Sequence, residues 1–426
     1  MAGVRRARLL ALVAPVLAAL AAAPAGRAAE WKVQADFPGG AVKVLAVDPA
    51  AGVIKFQPPD IPGGGWKVWW FFKVTGIEPG RTIRLEGPGP ATPVVSLDGK
   101  AWRFMSAKAG QRIDGPEAHF AWYVPFLPAD SDALLARAVK ACPHAKRFDL
   151  CRSEDDIPVA GLRVSEPGVP QAERLGIWVQ ARQHAWEVGG SWTAAGLAEW
   201  LVGDDPKAAD LRRRAAVTII PIMDVDSVVK GRGGKDQKPH DHNRDWSDRP
   251  HWRAVAAAQA ELKALDAAGR LHVFLDLHDP GYGGGLQIFC NQFSRMTGLR
   301  KANTERLINL FLDENKALGD SWPCKGVNEA GYLTGKPAAG LWIRATCREH
   351  VVSFTPEIPV GPPPGHSAAK AGEGPGANDA APPTPHLRLG AALGRALERY
   401  CADARQQTDA HDADKGQSRG TATAKD

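Results

Sequence analysis

Gln180-Ala181-Arg182-Gln183-His184-Ala185-Trp186-Glu187 places a histidine and a glutamate three residues apart, where the apolar run Leu175 to Val179 gives way to a helical pattern. A tight strand-to-helix turn points both side chains the same way, so the two can converge on one Zn²⁺. Catalytic zinc typically takes three protein ligands and keeps a fourth position for water. A third ligand is therefore needed downstream. His278 is the candidate, closing the apolar run Leu271-His272-Val273-Phe274-Leu275-Asp276-Leu277 about ninety residues on. An H-x-x-E pair alone is weak evidence, because many such pairs are surface helix residues. The second strand-end histidine strengthens it.

Around this segment the chain alternates between strand and helix patterns. Helices are expected over Asp132 to Ala141, with Leu134, Leu135 and Val139 on one face, and over Ser191 to Leu201, with Ser191 as cap and Trp192, Leu197 and Leu201 inward. Further helices are expected over Trp252 to Ala267, Leu307 to Leu318 and Leu387 to Arg405. Strands are expected over Ala216 to Met223 and Val351 to Thr355. Such alternation argues for an α/β domain with a largely parallel sheet, whose sites gather at the carboxyl ends of strands. The stretch 361–385 is rich in Pro, Gly and Ala and reads as a flexible insertion, and the polar tail 406–426 reads as disordered.

Upstream the text is strand-like. The runs Trp66 to Val74, Arg81 to Glu86 and His119 to Val124 are rich in aromatic and β-branched residues, with Pro and Gly between them, as in an antiparallel sandwich. That defines an N-terminal β-sandwich domain over 30–128, ahead of a catalytic domain over 129–405. Its aromatic density invites a carbohydrate-binding reading, but the core packing of a small β domain accounts for it more simply.

Residues 1–29 have the layout of a secretory signal peptide: Arg5, Arg6 and Arg8, then an apolar run from Leu9 to Ala23, then small residues. The expected location is periplasmic or extracellular in a bacterium. Without Arg5, Arg6, Arg8 and Arg27 the 53 basic residues fall to 49 against 47 acidic ones, so the charge drops from +6 to +2. A near-neutral mature chain gives no electrostatic reason to expect a nucleic-acid partner. Six cysteines in an exported chain permit disulfides, with Cys142–Cys151 and Cys324–Cys347 as possible pairs, while the absence of C-x-x-C argues against a structural zinc ribbon.

Metal-assisted hydrolysis also needs a base and a cation. Glu357 follows the apolar strand Val351 to Thr355, and partial desolvation there would raise its pKa. Arg244, in His240-Asp241-His242-Asn243-Arg244, can bind a carboxylate at two points or polarise a carbonyl, with Asn243 donating beside it. His240 and His242 are further metal-ligand candidates, though three ligands already suffice.

Together these residues resemble the zinc metallocarboxypeptidase family of the carboxypeptidase A type, in particular its cytosolic branch and bacterial relatives. The resemblance runs from about Cys151 to Glu357. It implies a mixed, largely parallel sheet with flanking helices, preceded by a small antiparallel β-sandwich domain. It implies one Zn²⁺ per chain held by His184, Glu187 and His278, Glu357 as general base, and Asn243 and Arg244 as binders of a substrate's terminal carboxylate. Ser191-Trp192 and Pro221-Ile222-Met223 fit the pattern too. Where the family usually has Pro-Gly between its first two ligands, this chain has Ala185-Trp186. Its second arginine position falls on Gly234 in Lys230-Gly231-Arg232-Gly233-Gly234-Lys235, so Arg232 or Lys235 is left to reach that space, and Arg232 is taken as the substrate-binding candidate. Tyr332 is the candidate for the tyrosine that closes over substrate. The expected function is removal of C-terminal residues from peptides with a free carboxylate, by a metal-activated water. The alternatives are a zinc amidase or deacylase acting on acylated amino acids or cell-wall peptides, and a non-catalytic glycan- or protein-binding module.

Overall fold

The computed structural model describes residues 30–167, 170, 174–319, 322–329, 335–363 and 381–420. The expected leader, most of the expected insertion, Tyr332 and residues 421–426 lie outside the described residues. Among the described residues no helix is long and apolar enough to cross a membrane.

The front of the chain forms nine strands: β1 (Lys32–Gln34), β2 (Lys43–Asp48), β3 (Val53–Gln57), β4 (Phe71–Thr75), β5 (Arg81–Glu86), β6 (Val94–Ser96), β7 (Arg103–Phe104), β8 (Gln111–Ile113) and β9 (Glu117–Ala121). They build two sheets, ordered β1-β4-β9-β6-β7 and β2-β3-β5-β8. Pairing is antiparallel except between β3 and β5, which run parallel because β4, between them in sequence, joins the other sheet. Ile54, Phe56, Trp70, Phe72, Ile83, Leu85 and Phe120 fill one core between the sheets. Successive side chains of a strand point to opposite faces, so the neighbours Trp69 and Phe71 face the other way. They pack into the main core with Val94, Phe104, Tyr123 and Phe126. The aromatic density is therefore mostly packing, and β4 buries Phe71 on one face and Phe72 and Val74 on the other. Trp66 differs: the expected strand begins only at Phe71, and Trp66 is 44% exposed.

The remainder runs α1 (Pro128–Ala141), β10 (Ala145–Arg152), β11 (Pro158–Val164), β12 (Leu175–Ala181), α2 (Val188–Val202), α3 (Pro206–Arg214), β13 (Ala215–Ile220), α4 (Val225–Val229), α5 (Arg253–Ala267), β14 (Leu271–Leu277), β15 (Leu286–Phe289), α6 (Gly298–Ala317), β16 (Cys324–Asn328), α7 (Ala339–Thr346), β17 (Val352–Glu357) and α8 (Thr384–Gly420). Eight strands form one mixed sheet, ordered β10-β11-β13-β12-β14-β17-β15-β16. Its centre is parallel: β13, β12, β14 and β17 pair in one direction. The near-continuous burial of β12 and β14 is what a parallel sheet covered on both faces requires.

Helices α2 and α8 pack so closely that glycine is needed on both. A Cβ at Gly196 would lie 2.1 Å from Leu387 O, and one at Gly390 would lie 2.1 Å from Thr193 O. This contact buries nearly every residue of α2.

Several expectations shift. Helix α2 begins at Val188, with Glu187 at its N-cap position. Ser191 lies within the helix, where its hydroxyl donates to Pro221 O at 2.7 Å and does not cap. Its neighbour Trp192 is only half-buried. Val139 is 41% exposed, because the inward stripe of α1 is Ser131, Leu134, Leu135 and Ala138. Helix α8 spans Thr384–Gly420, so its start precedes the expected Leu387. All six cysteines are free thiols, so neither Cys142–Cys151 nor Cys324–Cys347 forms a bridge.

Candidate metal centre

Strands β12, β14 and β17 are sheet neighbours, and the candidate residues follow from their carboxyl ends. β12 ends in a turn where Arg182 takes a left-handed backbone, φ +61°. Its buried guanidinium braces the turn by donating to Ala185 O at 2.8 Å. That turn delivers His184 and Glu187 on the near side of α2. His278 follows β14 directly, and its backbone is bridged to Glu357, the last residue of β17. His278 N donates to Pro356 O and Ile358 N donates to His278 O, each at 2.9 Å.

The three candidate ligands converge, with ligand atoms all within 4.8 Å of one another and every residue buried. Glu187 sits between the rings: Oε1 is 2.7 Å from His184 Nδ1, and Oε2 is 2.6 Å from His278 Nδ1. Burial alone would raise the Glu187 pKa, but the two imidazoles beside it hold the carboxyl well below the usual range.

Each imidazole is also backed by a carboxylate on its far side. His278 Nε2 lies 2.9 Å from Asp276 Oδ2. His184 Nε2 lies 3.4 Å from Asp241 Oδ1. Burial pushes the Asp241 carboxyl up, yet the neighbouring His184 brings it down to about 2. A carboxylate facing Nε2 favours the tautomer with the proton there, which leaves the Nδ1 lone pair free. Two such nitrogens and one carboxylate, turned inward together, suit a zinc ion with one position left open. The residues fit the metal that the resemblance implies.

Asp276 also accepts from Gln180 Nε2 at 3.3 Å and from Gln183 Nε2, while Gln183 Oε1 accepts from Trp246 Nε1 at 2.7 Å. Asp279 anchors the opposite side, accepting from Gly281 N at 2.8 Å and Gly189 N at 3.3 Å, and burial raises its pKa well above the carboxylate range. Burial likewise raises Glu357, to about 7, with His278 opposing the rise.

Asn243 and Arg244 occupy a short 3-10 turn, His242–Arg244. Asn243 Oδ1 accepts from Ala339 N at 2.9 Å, and its Nδ2 lies 3.2 Å from His278 Nε2, a nitrogen whose proton goes to the nearer Asp276 Oδ2, so the two N–H groups sit side by side without a bond between them. Arg244 Nη1 donates to Asn243 O at 2.8 Å. His240 faces Asp245, and His242 stacks on Trp252 with centroids 4.8 Å apart; neither belongs to the convergent cluster. Arg232 packs against the front of the chain, close to Gly64, in a small pocket with Pro59, Ile61 and Trp69. The loop cation at the cluster is Lys235, with Nζ 3.9 Å from Glu187 Oε1.

Sequence reasoning missed Asp276 and Asp241 as parts of the site, and of the two loop cations it weighed it took Arg232 where the structure brings Lys235 to the cluster. Both missed carboxylates had a signal. Asp276 precedes His278 by two residues on a strand, so their side chains share a face. Asp241 precedes Asn243 by the same interval in a segment already singled out.

Residues 132–264 match the zinc carboxypeptidase family. Cytosolic carboxypeptidase 2 of Danio rerio is 25% identical over 229 residues, covering 52% of this chain and 32% of that protein. Cytosolic carboxypeptidase 4 of Mus musculus is 35% identical over 103 residues, 24% of this chain and 9% of that protein. The chain thus spans about a third or less of the length of these curated relatives. A metallo-carboxypeptidase from Burkholderia cenocepacia shares the fold with TM-score 0.69 at 19% identity, over 88% of this chain and 100% of that one. One from Pseudomonas aeruginosa, in complex with (2-guanidinoethylmercapto)succinic acid, gives TM-score 0.65 at 22% identity, over 86% and 98%. Residues 132–264 thus match the zinc carboxypeptidase family, and the chain is similar in sequence to the cytosolic carboxypeptidases and in fold to the bacterial metallocarboxypeptidases.

Proposed function

We propose that the chain is an exported zinc-dependent metallocarboxypeptidase that hydrolyses the last peptide bond of a substrate bearing a free C-terminal carboxylate. The observation that carries this reading is the convergence of His184 Nδ1, His278 Nδ1 and the Glu187 carboxylate beside Glu357. Bound by those three residues, zinc supplies Lewis acidity toward a carbonyl and lowers the pKa of a coordinated water.

The chain's own residues do the rest. Glu357 is the general base: its carboxylate takes a proton from the attacking water and passes it to the departing amine. A carboxyl poised near 7 suits both halves of that transfer. Asn243 and Arg244 receive the terminal carboxylate, Arg244 through its guanidinium fork. Asp276 holds the His278 imidazole in the ligating tautomer, and the Asp241 carboxylate faces His184 Nε2 from 3.4 Å and favours the same tautomer electrostatically.

The test is zinc analysis of the purified protein together with hydrolysis of one peptide as free acid and as C-terminal amide. A carboxypeptidase holds zinc, loses activity to a chelator and strongly prefers the free acid. Equal rates on both would favour the amidase or deacylase reading, which the altered loop at Gly234 motivates. A metal-free, inactive protein would sink both. Export is tested separately, by N-terminal sequencing of protein recovered from the periplasm or medium; an intact residue 1–29 segment would refute it.

A further inference from the structure

We infer that Lys235, held in place by Trp66 from the front of the chain, is the cation that faces the oxygen of the reacting carbonyl. This rests on the carboxypeptidase reading above. The family's arginine position falls on Gly234, and here no side chain fits. Gly234 has φ +80°, and a Cβ on it would lie 2.5 Å from Ala185 N and 3.1 Å from Asp224 Oδ2. The loop lies directly on the ligand-bearing turn, with Trp186 N donating to Gly233 O at 3.1 Å. One residue later the backbone has left this contact, and Lys235 projects to within 3.9 Å of Glu187 Oε1. Lys235 Nζ therefore stands beside a candidate zinc ligand, where the carbonyl of a substrate bound at the metal would lie.

The front of the chain builds this placement. Gly234 N donates to Gly64 O at 3.0 Å, Trp66 N donates to Lys235 O at 2.9 Å, and Lys238 N donates to Gly63 O at 2.9 Å. Those bonds zip residues 234–238 to residues 63–66. The close approach demands glycine on both strands of the zip: a Cβ at Gly65 would lie 2.2 Å from Lys235 O, and one at Gly233 would lie 2.0 Å from Trp66 O. The Trp66 ring then fixes the side chain. Lys235 Nζ is 4.8 Å from its centroid, its Nε1 donates to Asp236 Oδ2 at 2.8 Å, and it stacks on Trp186 with centroids 6.2 Å apart. Trp186 is the second of the two residues between the turn ligands, where the family usually has glycine. The two departures from the family pattern, at 186 and at 234, are thus parts of one arrangement.

An ammonium here acts as a compact point charge, without the two-point geometry of a guanidinium. It pairs with oxygen charge that develops as the carbonyl is attacked, and takes no part in proton transfer. Lys235 is in this sense catalytic, whereas Trp66 is a positioning residue.

The experiment compares wild type, K235M, K235R, R232M, W66L and W66F. Each is measured for zinc content, for kcat and KM on a free-acid peptide, and for calorimetric affinity toward a phosphinic peptide, whose tetrahedral centre mimics the attacked carbonyl. K235M should keep its zinc and its KM within about threefold, while kcat falls about 10²–10³-fold, the range for losing one such donor. Phosphinic-peptide affinity should fall in K235M and recover in part in K235R. W66L should lower kcat less than K235M does, and W66F should restore most of it, because a phenyl face still holds the ammonium. Unchanged kcat in K235M, loss of zinc from it, or the kcat loss appearing in R232M would each overturn the assignment. If wild type turns over no peptide, the carboxypeptidase reading fails. Active wild type with equally active K235M defeats only the role of Lys235.

Discussion

Asp276, in β14, and His278, the residue just past its end, point to the same side, with the carboxylate Oδ2 2.9 Å from Nε2 of the imidazole. The period of two along a strand creates this pair. It has a chemical consequence at the other end of the ring: with one proton held on Nε2, Nδ1 is the nitrogen that a neutral imidazole turns to a metal. Asp276→Asn can offer an amide N–H to the same nitrogen, which favours the opposite tautomer and a protonated Nδ1. Zinc affinity should fall about 10–100-fold, the usual cost of losing such a partner. Competition against a fluorescent chelator measures it, and an unchanged zinc Kd would remove Asp276 from this role. Asp241→Asn should act the same way through His184.

Glu357 gives the sharpest separation between binding metal and using it. Its backbone is bridged to His278, so the strand pairing that positions it survives a change of side chain. Glu357→Gln keeps the shape and removes the base. Zinc content should match wild type, while turnover of a free-acid peptide should drop by at least about 10²-fold, the lower range for losing a positioned general base. Full activity in this variant would exclude the proposed proton path.

How much of this site could be read in the chain depends on how local each placement is. His184, Glu187, His278 and Glu357 follow apolar runs that parallel pairing buries, so they stand out at strand ends. Helix α2 was misplaced at its start because Val188-Gly189-Gly190 carries little helical signal and Ser191 imitates a cap. Its true beginning depends on tertiary contacts, including Asp279, which accepts from Gly189 N. The choice of Lys235 over Arg232 was not legible. The position of Lys235 depends on a backbone zip to Gly63–Trp66, about 170 residues earlier, and no periodicity records such a contact. Trp66 itself lies inside a run of strand-like text, yet the strand begins only at Phe71.

The glycine contact between α2 and α8 yields a prediction about stability. Gly390→Ala places a methyl group 2.1 Å from Thr193 O, a backbone atom that cannot swing aside. The two helices must separate, and overpacking of this kind costs about 1–3 kcal/mol. Urea unfolding should show a lower midpoint with a similar slope. An unchanged midpoint would mean that the interface yields more freely than the packing implies.

The last prediction concerns acid stability and a buried histidine outside the ligand cluster. His386, near the start of α8, is fully buried against the Trp322 ring. Its Nδ1 lies 3.1 Å from Tyr123 Oη, and its Nε2 lies 3.1 Å from Pro359 O. Burial brings its pKa down from 6.5 to about 3, while the Pro359 carbonyl opposes the fall. The folded state therefore keeps this imidazole neutral across a range in which the unfolded chain protonates it. Stability from His386 is fully present above pH 6.5 and is lost as pH falls from 6.5 toward 3, by up to about 1.4 kcal/mol per pH unit. His386→Gln retains a hydrogen-bonding side chain but cannot titrate. Chemical denaturation of wild type and variant at pH 7.5 and pH 5 isolates the effect. The variant should be less stable than wild type at pH 7.5 and should lose less on acidification, so the gap narrows at pH 5. A gap that stays constant would show that protonation of His386 does not drive acid unfolding.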